Sequence, residues 1–287
     1  MRAFDSLDKF VWLGETVGEA EAVEILRANF AKIRRSLTSR DVAFLYDERY
    51  KTILSRHETV SMVAGRIPIN KYQFPAFEYL TTREKAADAK VLDVGCGTGN
   101  FAVALAAKGM RVTGLDRSEM MIEAARELSQ ASAPLCEHVA SFVIGGPENA
   151  PEEERYDFIT LNDVVEHLSR EETIAMLSEC RARLAPGGEV VVHTPNGRAA
   201  GWDIPEKTFR ACFIRFLVQK ILKRGYVPSL IEAYYYQAHI NVVGYRALAR
   251  LARKAGLLSA RVRYDDPSPI KIWKDVLSQN MMVVLTV

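Results

Sequence analysis

The run Val91-Leu92-Asp93-Val94-Gly95-Cys96-Gly97-Thr98-Gly99-Asn100 sets an acid and three alternating glycines within ten residues. Glycines so spaced let a backbone turn sharply and admit a ligand where a Cβ would collide. Asp116 closes the next apolar run, RVTGLD, where a carboxylate can accept both hydroxyl protons of a ribose. A second cluster is Asn162-Asp163-Val164-Val165-Glu166-His167-Leu168. On a helical turn, Asp163, Glu166 and His167 would project from one side. The run EVVVHTPNG delivers His193, Thr194 and Asn196 to the same neighbourhood. Carboxylates beside imidazoles suit proton transfer, the acid fixing the histidine tautomer. They also suit a divalent cation that lowers the pKa of a hydroxyl.

Elements of the right kind flank these residues. Residues 91–95 and 111–116 are short β-rich runs, and 99–108 and 118–130 are helical, with Ser118 placed as a cap. SFVIG (141–145) and YDFITL (156–161) read as strands, 171–184 as an amphipathic helix stopped by Ala-Pro-Gly-Gly, and EVVVHT (189–194) as a buried strand. A helix over 244–255 and strands at 258–264 and 281–287 complete the chain. Strands alternating with helices of this length specify an α/β domain with a parallel sheet and helices on both faces. The sites sit where strands end, the edge at which such folds bind ligands.

The glycine spacing is G-x-G-x-G, so the third glycine falls one place early for a dinucleotide fingerprint. Asp93, inside the strand before it, could order the loop or hold the cationic amino-acid end of S-adenosylmethionine. VLDVGCGTG followed by GLDRS resembles the cofactor core of class I S-adenosylmethionine-dependent methyltransferases, over roughly residues 85–195 and more loosely to the C-terminus. The resemblance implies a Rossmann-like seven-stranded, mostly parallel sheet ending in an antiparallel strand, which residues 281–287 would supply. It implies that Gly95, Cys96 and Gly97 contact the methionine moiety, Asp116 the ribose, Arg117 and Met121 the adenine, and that Asn162 lies near the sulfonium end. The family often carries a Gly-Asp pair after the third strand to bind the adenine amine. Here the sequence is Gly145-Gly146-Pro147-Glu148, so that contact is missing, backbone-mediated or moved to Glu148.

The D-x-x-E-H run is similar to that of the ubiquinone-biosynthesis O-methyltransferases and the small-RNA 2′-O-methyltransferases, and His239 matches a further histidine of theirs. The resemblance implies catalytic roles for His167, Glu166 and His239. It also implies a divalent-metal set of Asp163, Glu166, His167 and His239, suited to Mg²⁺ or Mn²⁺. The alternative is that Glu166 and His167 only brace the loop under the cofactor. Asp163 stands where those families have glutamate, a shorter arm.

Two segments remain to cover an acceptor. Residues 1–85 read as an N-terminal helical cap, with apolar stripes over 19–37 and 40–63 and an aromatic stretch at 67–80. Within the methyltransferase-like domain, 86–287, residues 196–241 break the strand–helix rhythm as a lid insertion. Its run 209–224 is basic and amphipathic without an acid, fit for an anionic membrane surface or a lid. Tyr234, Tyr235 and Tyr236 could line a pocket. His57 and His138 read as surface residues.

The formal net charge of +2, from 38 basic and 36 acidic residues, calls for no nucleic-acid partner. Four scattered cysteines without a C-x-x-C pair suit reduced thiols, and no secretory signal or apolar span is seen, so a cytoplasmic protein is expected. The reading is methyl transfer from S-adenosylmethionine to a hydroxyl of a small-molecule acceptor, yielding S-adenosylhomocysteine. The alternatives are an N-acceptor, RNA 2′-O-methylation, or a methyltransferase-like binding subunit. The acceptor, the oligomeric state and the pathway are not encoded in any motif.

Overall fold

The computed structural model describes residues 73–84, 86–197, 241–264 and 280–287. The helices expected in 19–63, most of the insertion, and with them His57, 209–224, 234–236 and His239, lie outside the described residues.

In chain order the elements are α1 (Phe74–Thr81), β1 (Lys90–Val94), α2 (Asn100–Ala106), β2 (Arg111–Asp116), α3 (Glu119–Ser132), β3 (Ser141–Ile144), β4 (Tyr156–Asn162), α4 (Arg170–Arg183), β5 (Leu184–Pro195), α5 (Tyr245–Lys254), β6 (Ser259–Tyr264) and β7 (Asn280–Thr286). The seven strands form one sheet in the order β3-β2-β1-β4-β5-β7-β6. β1 to β5 pair in parallel, while β7 runs antiparallel to both β5 and β6. This is the Rossmann-like sheet with a terminal antiparallel strand that the sequence leads one to expect.

Period-two alternation sends neighbouring strand residues to opposite faces. Leu92, Val94, Ile159, Leu161, Val190, Val192, Val283 and Leu285 pack with Leu177 of α4 and Leu248 of α5. Val91, Val112, Phe158, Val191, Met282 and Val284 pack on the other side with Leu80 of α1, Phe101 and Leu105 of α2 and Ile122 of α3. At the amino end of β5 the α1 face buries the Glu189 carboxylate. Tyr79 donates to it at 2.7 Å, Arg83 at 2.8 Å and Arg261 at 3.0 Å, tying α1 and β6 to β5.

Local chemistry sets the boundaries. α4 opens on a reciprocal cap: the Glu172 N–H donates to Ser169 Oγ, and the Ser169 N–H to the Glu172 carboxylate. Ser118, expected to cap α3 with its side chain, makes no such bond. Its N–H donates instead to Asp116 Oδ1 at 2.9 Å, so the acid occupies the helix entrance. β5 begins earlier than the valine run suggests. Leu184 opposes Tyr156 and Glu189 opposes Phe158, so residues 185–188 bulge between two paired positions.

Candidate active site

β1 and β4 lie side by side at the centre of the sheet, yet α2 after β1 and α4 before β5 cover opposite faces. The loops leaving their carboxyl ends therefore part and open a crevice, the ligand position of such folds. Asp93 reaches this edge on β1, Asn162 reaches it at the end of β4, and Asp163 follows directly.

Asp93 and Thr160 are paired across β1 and β4, and the Thr160 hydroxyl donates to the Asp93 carboxylate at 2.7 Å. Burial pushes the Asp93 carboxyl up to about 7, with the Asp116 charge adding to it and Thr160 opposing it. The Asn162 amide approaches closely enough to favour the carboxylate without closing a hydrogen bond: its Nδ2 and Oδ1 are both buried and unpartnered. A buried amide with neither atom satisfied is costly unless a ligand completes it.

The glycine loop passes beneath that edge. Gly95 and Cys96 donate their N–H groups to the Leu115 carbonyl at 2.7 and 2.9 Å, fastening the loop to β2. Gly97 donates to Asp116 Oδ2 at 3.0 Å. Asp116 thus accepts from Gly97 and Ser118 together, one backbone N–H on each oxygen. These two N–H groups fill two of the about four acceptor positions of a carboxylate. Gly97 has φ +52°, and a Cβ built there meets nothing within 4 Å. Gly99, φ +78°, is different: its Cβ would lie 2.8 Å from Ala125 Cβ and 2.9 Å from Phe142 Cζ. One glycine faces open space and the other serves packing against α3. Cys96 is buried, and burial raises its thiol well above the ordinary range, which makes it a poor nucleophile.

Beyond β4 the chain departs from the single helical turn expected for Asp163, Glu166 and His167. Only Val165–His167 form a tight 3₁₀ turn. Asp163 precedes it at φ +55°, a left-handed conformation that aspartate tolerates better than most residues. Its carboxylate meets His193 Nδ1 at 2.9 Å, and its N–H donates to the His193 carbonyl at 2.9 Å. Glu166 is fully buried and accepts from the Thr194 hydroxyl at 2.9 Å through Oε2, while Oε1 has no partner. Burial, then the neighbouring Asp163 charge, raises the Glu166 carboxyl to about 8. The two acids thus turn to different partners on β5. As placed, Asp163, Glu166 and His167 do not form a three-ligand metal group, nor do any three His, Cys, Asp or Glu among the described residues.

Of the remaining expected site residues, Met121 is buried on α3 and Arg117 is exposed beside Asp116. After β3, the Gly146 N–H donates to Asn149 Oδ1 at 3.1 Å, and Glu148 is exposed on the Pro147–Asn149 turn. His138, read as a surface residue, pairs with Asp88 at 2.9 Å at the far edge of the sheet. Thr160 was not singled out by motif. Its signal is a hydroxyl inside an apolar strand, on the same face as Asp93. His193 carries a similar signal, an imidazole directly after three valines.

The chain leaves this edge at Gly197 and returns at Asn241. The Gly197 N–H donates to the Val243 carbonyl at 3.2 Å, and the Asn241 N–H to the Glu166 carbonyl at 3.0 Å. Both ends of the insertion therefore meet beside the crevice.

A family model described as a methyltransferase domain matches residues 70–258. The ubiquinone biosynthesis O-methyltransferase of Xanthomonas euvesicatoria pv. vesicatoria (strain 85-10) is 29% identical over 137 residues, 48% of this chain and 56% of that one. The match thus spans little more than half of that relative. The protein of the same name from Aromatoleum aromaticum (strain DSM 19018 / LMG 30748 / EbN1) is 26% identical over 200 residues, 68% of this chain and 75% of that one. Among solved structures, magnesium protoporphyrin IX methyltransferase from Synechocystis PCC 6803, with bound SAH, superposes with a TM-score of 0.53 at 17% identity, covering 84% of this chain and 94% of that chain.

Proposed function

The chain belongs to the methyltransferase-domain family, of the class I S-adenosylmethionine-dependent type, and on that premise we propose that it moves a methyl group from S-adenosylmethionine to a hydroxyl of a small-molecule acceptor. The observation that carries this reading is the crevice between β1 and β4. It is bordered by Asp116 held by the glycine loop, by Gly97 with open space where a Cβ would stand, and by the unsatisfied Asn162 amide. These residues fit a nucleoside with a polar, cationic tail. Asp116 would grip the ribose, Gly95, Cys96 and Gly97 would line the methionine end, and Asp93 and Asn162 would answer its ammonium and polar groups. Arg117 and Met121 would border the adenine.

When bound, S-adenosylmethionine supplies a methyl carbon already activated by the sulfonium charge, so the protein has to place the acceptor in line and take its proton. A hydroxyl is a weak nucleophile at neutral pH, which is why acids and histidines gathered after β4 matter. His167, Glu166 and His239 are the sequence's candidates for that work. The insertion, whose ends meet at this edge, would close over the acceptor together with the segment preceding α1. Relatives named as O-methyltransferases favour oxygen over nitrogen as the accepting atom. Among the described residues no helix is long and apolar enough to cross a membrane.

Methyl-labelled S-adenosylmethionine incubated with a panel of phenols, catechols, sugar alcohols, amines and short RNA tests the reading. Label is expected on a small hydroxylated acceptor; transfer confined to amines or RNA overturns it. The glycines give a second test. Gly97→Ala and Gly99→Ala both meet left-handed strain of about 1–2 kcal/mol. Only Gly99→Ala adds overpacking, about 1–3 kcal/mol more. Gly99→Ala is therefore expected to melt at a lower temperature than Gly97→Ala. Gly97→Ala should lose about tenfold or more in S-adenosylhomocysteine affinity. Equal melting temperatures with unchanged affinity would remove Gly97 from the cofactor site.

A further inference from the structure

The order of the strand ends sets the direction of a nucleoside in the crevice. On the placement proposed above, its methionine end lies at β1 and β4, beside Asp93 and Asn162, and its ribose at Asp116, the last residue of β2. Past β2 the sheet continues only to β3. Neighbouring strands lie about 4.8 Å apart, so the base of a nucleoside laid across these ends stands over the turn that follows β3. That turn is tied to the ribose acid, because the Gly145 N–H donates to the Asp116 carbonyl at 2.8 Å.

The turn offers acceptors and few donors. The Gly145 N–H is taken up by Asp116 and the Gly146 N–H by Asn149 Oδ1 at 3.1 Å, while Pro147 has no N–H. Gly146 has no side chain, yet its side-chain place is filled. A Cβ built there would lie 2.5 Å from Glu148 Oε2, 2.8 Å from Oε1 and 2.9 Å from Cδ, the three atoms nearest to it. The Glu148 carboxylate thus folds back over residue 146. The backbone beneath it is pinned by Arg183, which donates to the Glu148 carbonyl at 3.1 Å and to those of Pro151 and Glu152 at 3.1 and 3.3 Å. Glu148 is exposed, and none of the described residues donates to its carboxylate. The acid is therefore held in place by its turn and open to a ligand.

We infer that Glu148 reads the base of the cofactor, its carboxylate accepting a hydrogen bond from the 6-amino group of adenine, a deepening that rests on the cofactor site proposed above. An ionised carboxylate only accepts hydrogen bonds. It rewards a purine that carries an amine at position 6 and gains nothing from one that lacks it.

The test is calorimetric titration of the full chain with S-adenosylhomocysteine and with its analogue bearing hydrogen in place of the 6-amino group. The native chain should bind the analogue about tenfold more weakly, the loss of one hydrogen bond to a charged acceptor. Glu148→Ala should bind S-adenosylhomocysteine about tenfold more weakly than the native chain does. It should hold the two ligands within about twofold of each other, so the two losses do not add. Gly146→Asp, placed in the Glu148→Ala chain, should restore the preference for the amine. The backbone at Gly146, φ −107°, suits any residue, and the atoms that would crowd a Cβ there leave with Glu148. A merely structural Glu148 would weaken both ligands alike and keep the preference, which overturns the assignment. A native chain that binds both ligands equally also overturns it, and either result leaves the cofactor site standing. A native chain that binds neither ligand sinks the cofactor site, and the role of Glu148 with it.

Discussion

Asp116→Ala is expected to weaken S-adenosylhomocysteine binding by about 10²-fold or more. The carboxylate does two jobs, and alanine ends both. It accepts the N–H groups of Gly97 and Ser118, at 3.0 and 2.9 Å, and so holds the glycine loop against the start of α3. Hydrogen bonds to a charged acceptor contribute about 1.5–3 kcal/mol each, so the loop alone accounts for a large share of the loss. The other share is the grip on the ribose. The two separate in a double-mutant cycle: native and variant chains are each titrated with S-adenosylhomocysteine and with its 2′-deoxy analogue. The native chain should discriminate between these ligands and the variant should not. Calorimetry showing affinity within threefold of native, with the fold intact by circular dichroism, would end the ribose assignment.

Binding of S-adenosylhomocysteine should also strengthen as pH rises through about 7, because Asp93 must be ionised to meet the ligand's ammonium. Burial holds its carboxyl near 7 in the free protein. The groups facing it are Thr160 and the Asn162 amide, which favour the carboxylate, and Asp116, which opposes it. Below that point each pH unit costs about 1.4 kcal/mol, or tenfold in affinity, so about 10²-fold separates pH 8 from pH 5. Complex formation near neutrality should release protons, which calorimetry in buffers of different ionisation enthalpy reads directly. Asp93→Asn should bind more weakly and lose the slope. A native affinity that is flat between pH 5 and 8 would mean that Asp93 does not contact the ammonium.

The same ionisation sets the stability of the ligand-free chain, with the opposite sense. The folded pKa of Asp93 lies above the unfolded carboxylate value of about 4, so the folded state binds more protons between the two. Its contribution is fully present below about 4 and is lost as pH climbs through about 7. Glu166, raised to about 8, acts in the same direction over a window extending further up. Cofactor affinity and ligand-free stability are therefore pulled apart by pH.

Much of this architecture could be read from residues alone. The strand over 111–116 is bounded in the structure where the sequence bounds it, because an apolar run lies between Gly109 and an acid. The glycine loop was legible for a related reason: no other residue fits its three left-handed positions as readily. The acid–histidine cluster was legible only as composition. Its geometry turns on one dihedral, φ +55° at Asp163, which directs the carboxylate to His193 and leaves Glu166 to Thr194. No periodicity in NDVVEHL encodes that choice. Likewise, His193 and Thr194 are adjacent letters, and only sheet register assigns them to opposite faces. The bulge over 185–188 hid the true start of β5 because Ala-Pro-Gly-Gly also reads as a simple stop.

The hydrogen bond joining Gly197 to Val243 makes the intervening stretch a cassette with a common doorway. Closing a longer span between fixed posts adds only about 0.6 kcal/mol for each doubling of length. Evolution can therefore exchange or lengthen that cassette while the sulfonium-binding half stays untouched. On the proposed lid reading, acceptor preference would drift between lineages without a compensating change in the sheet, and a laboratory graft between these two posts would be the route to a new substrate range.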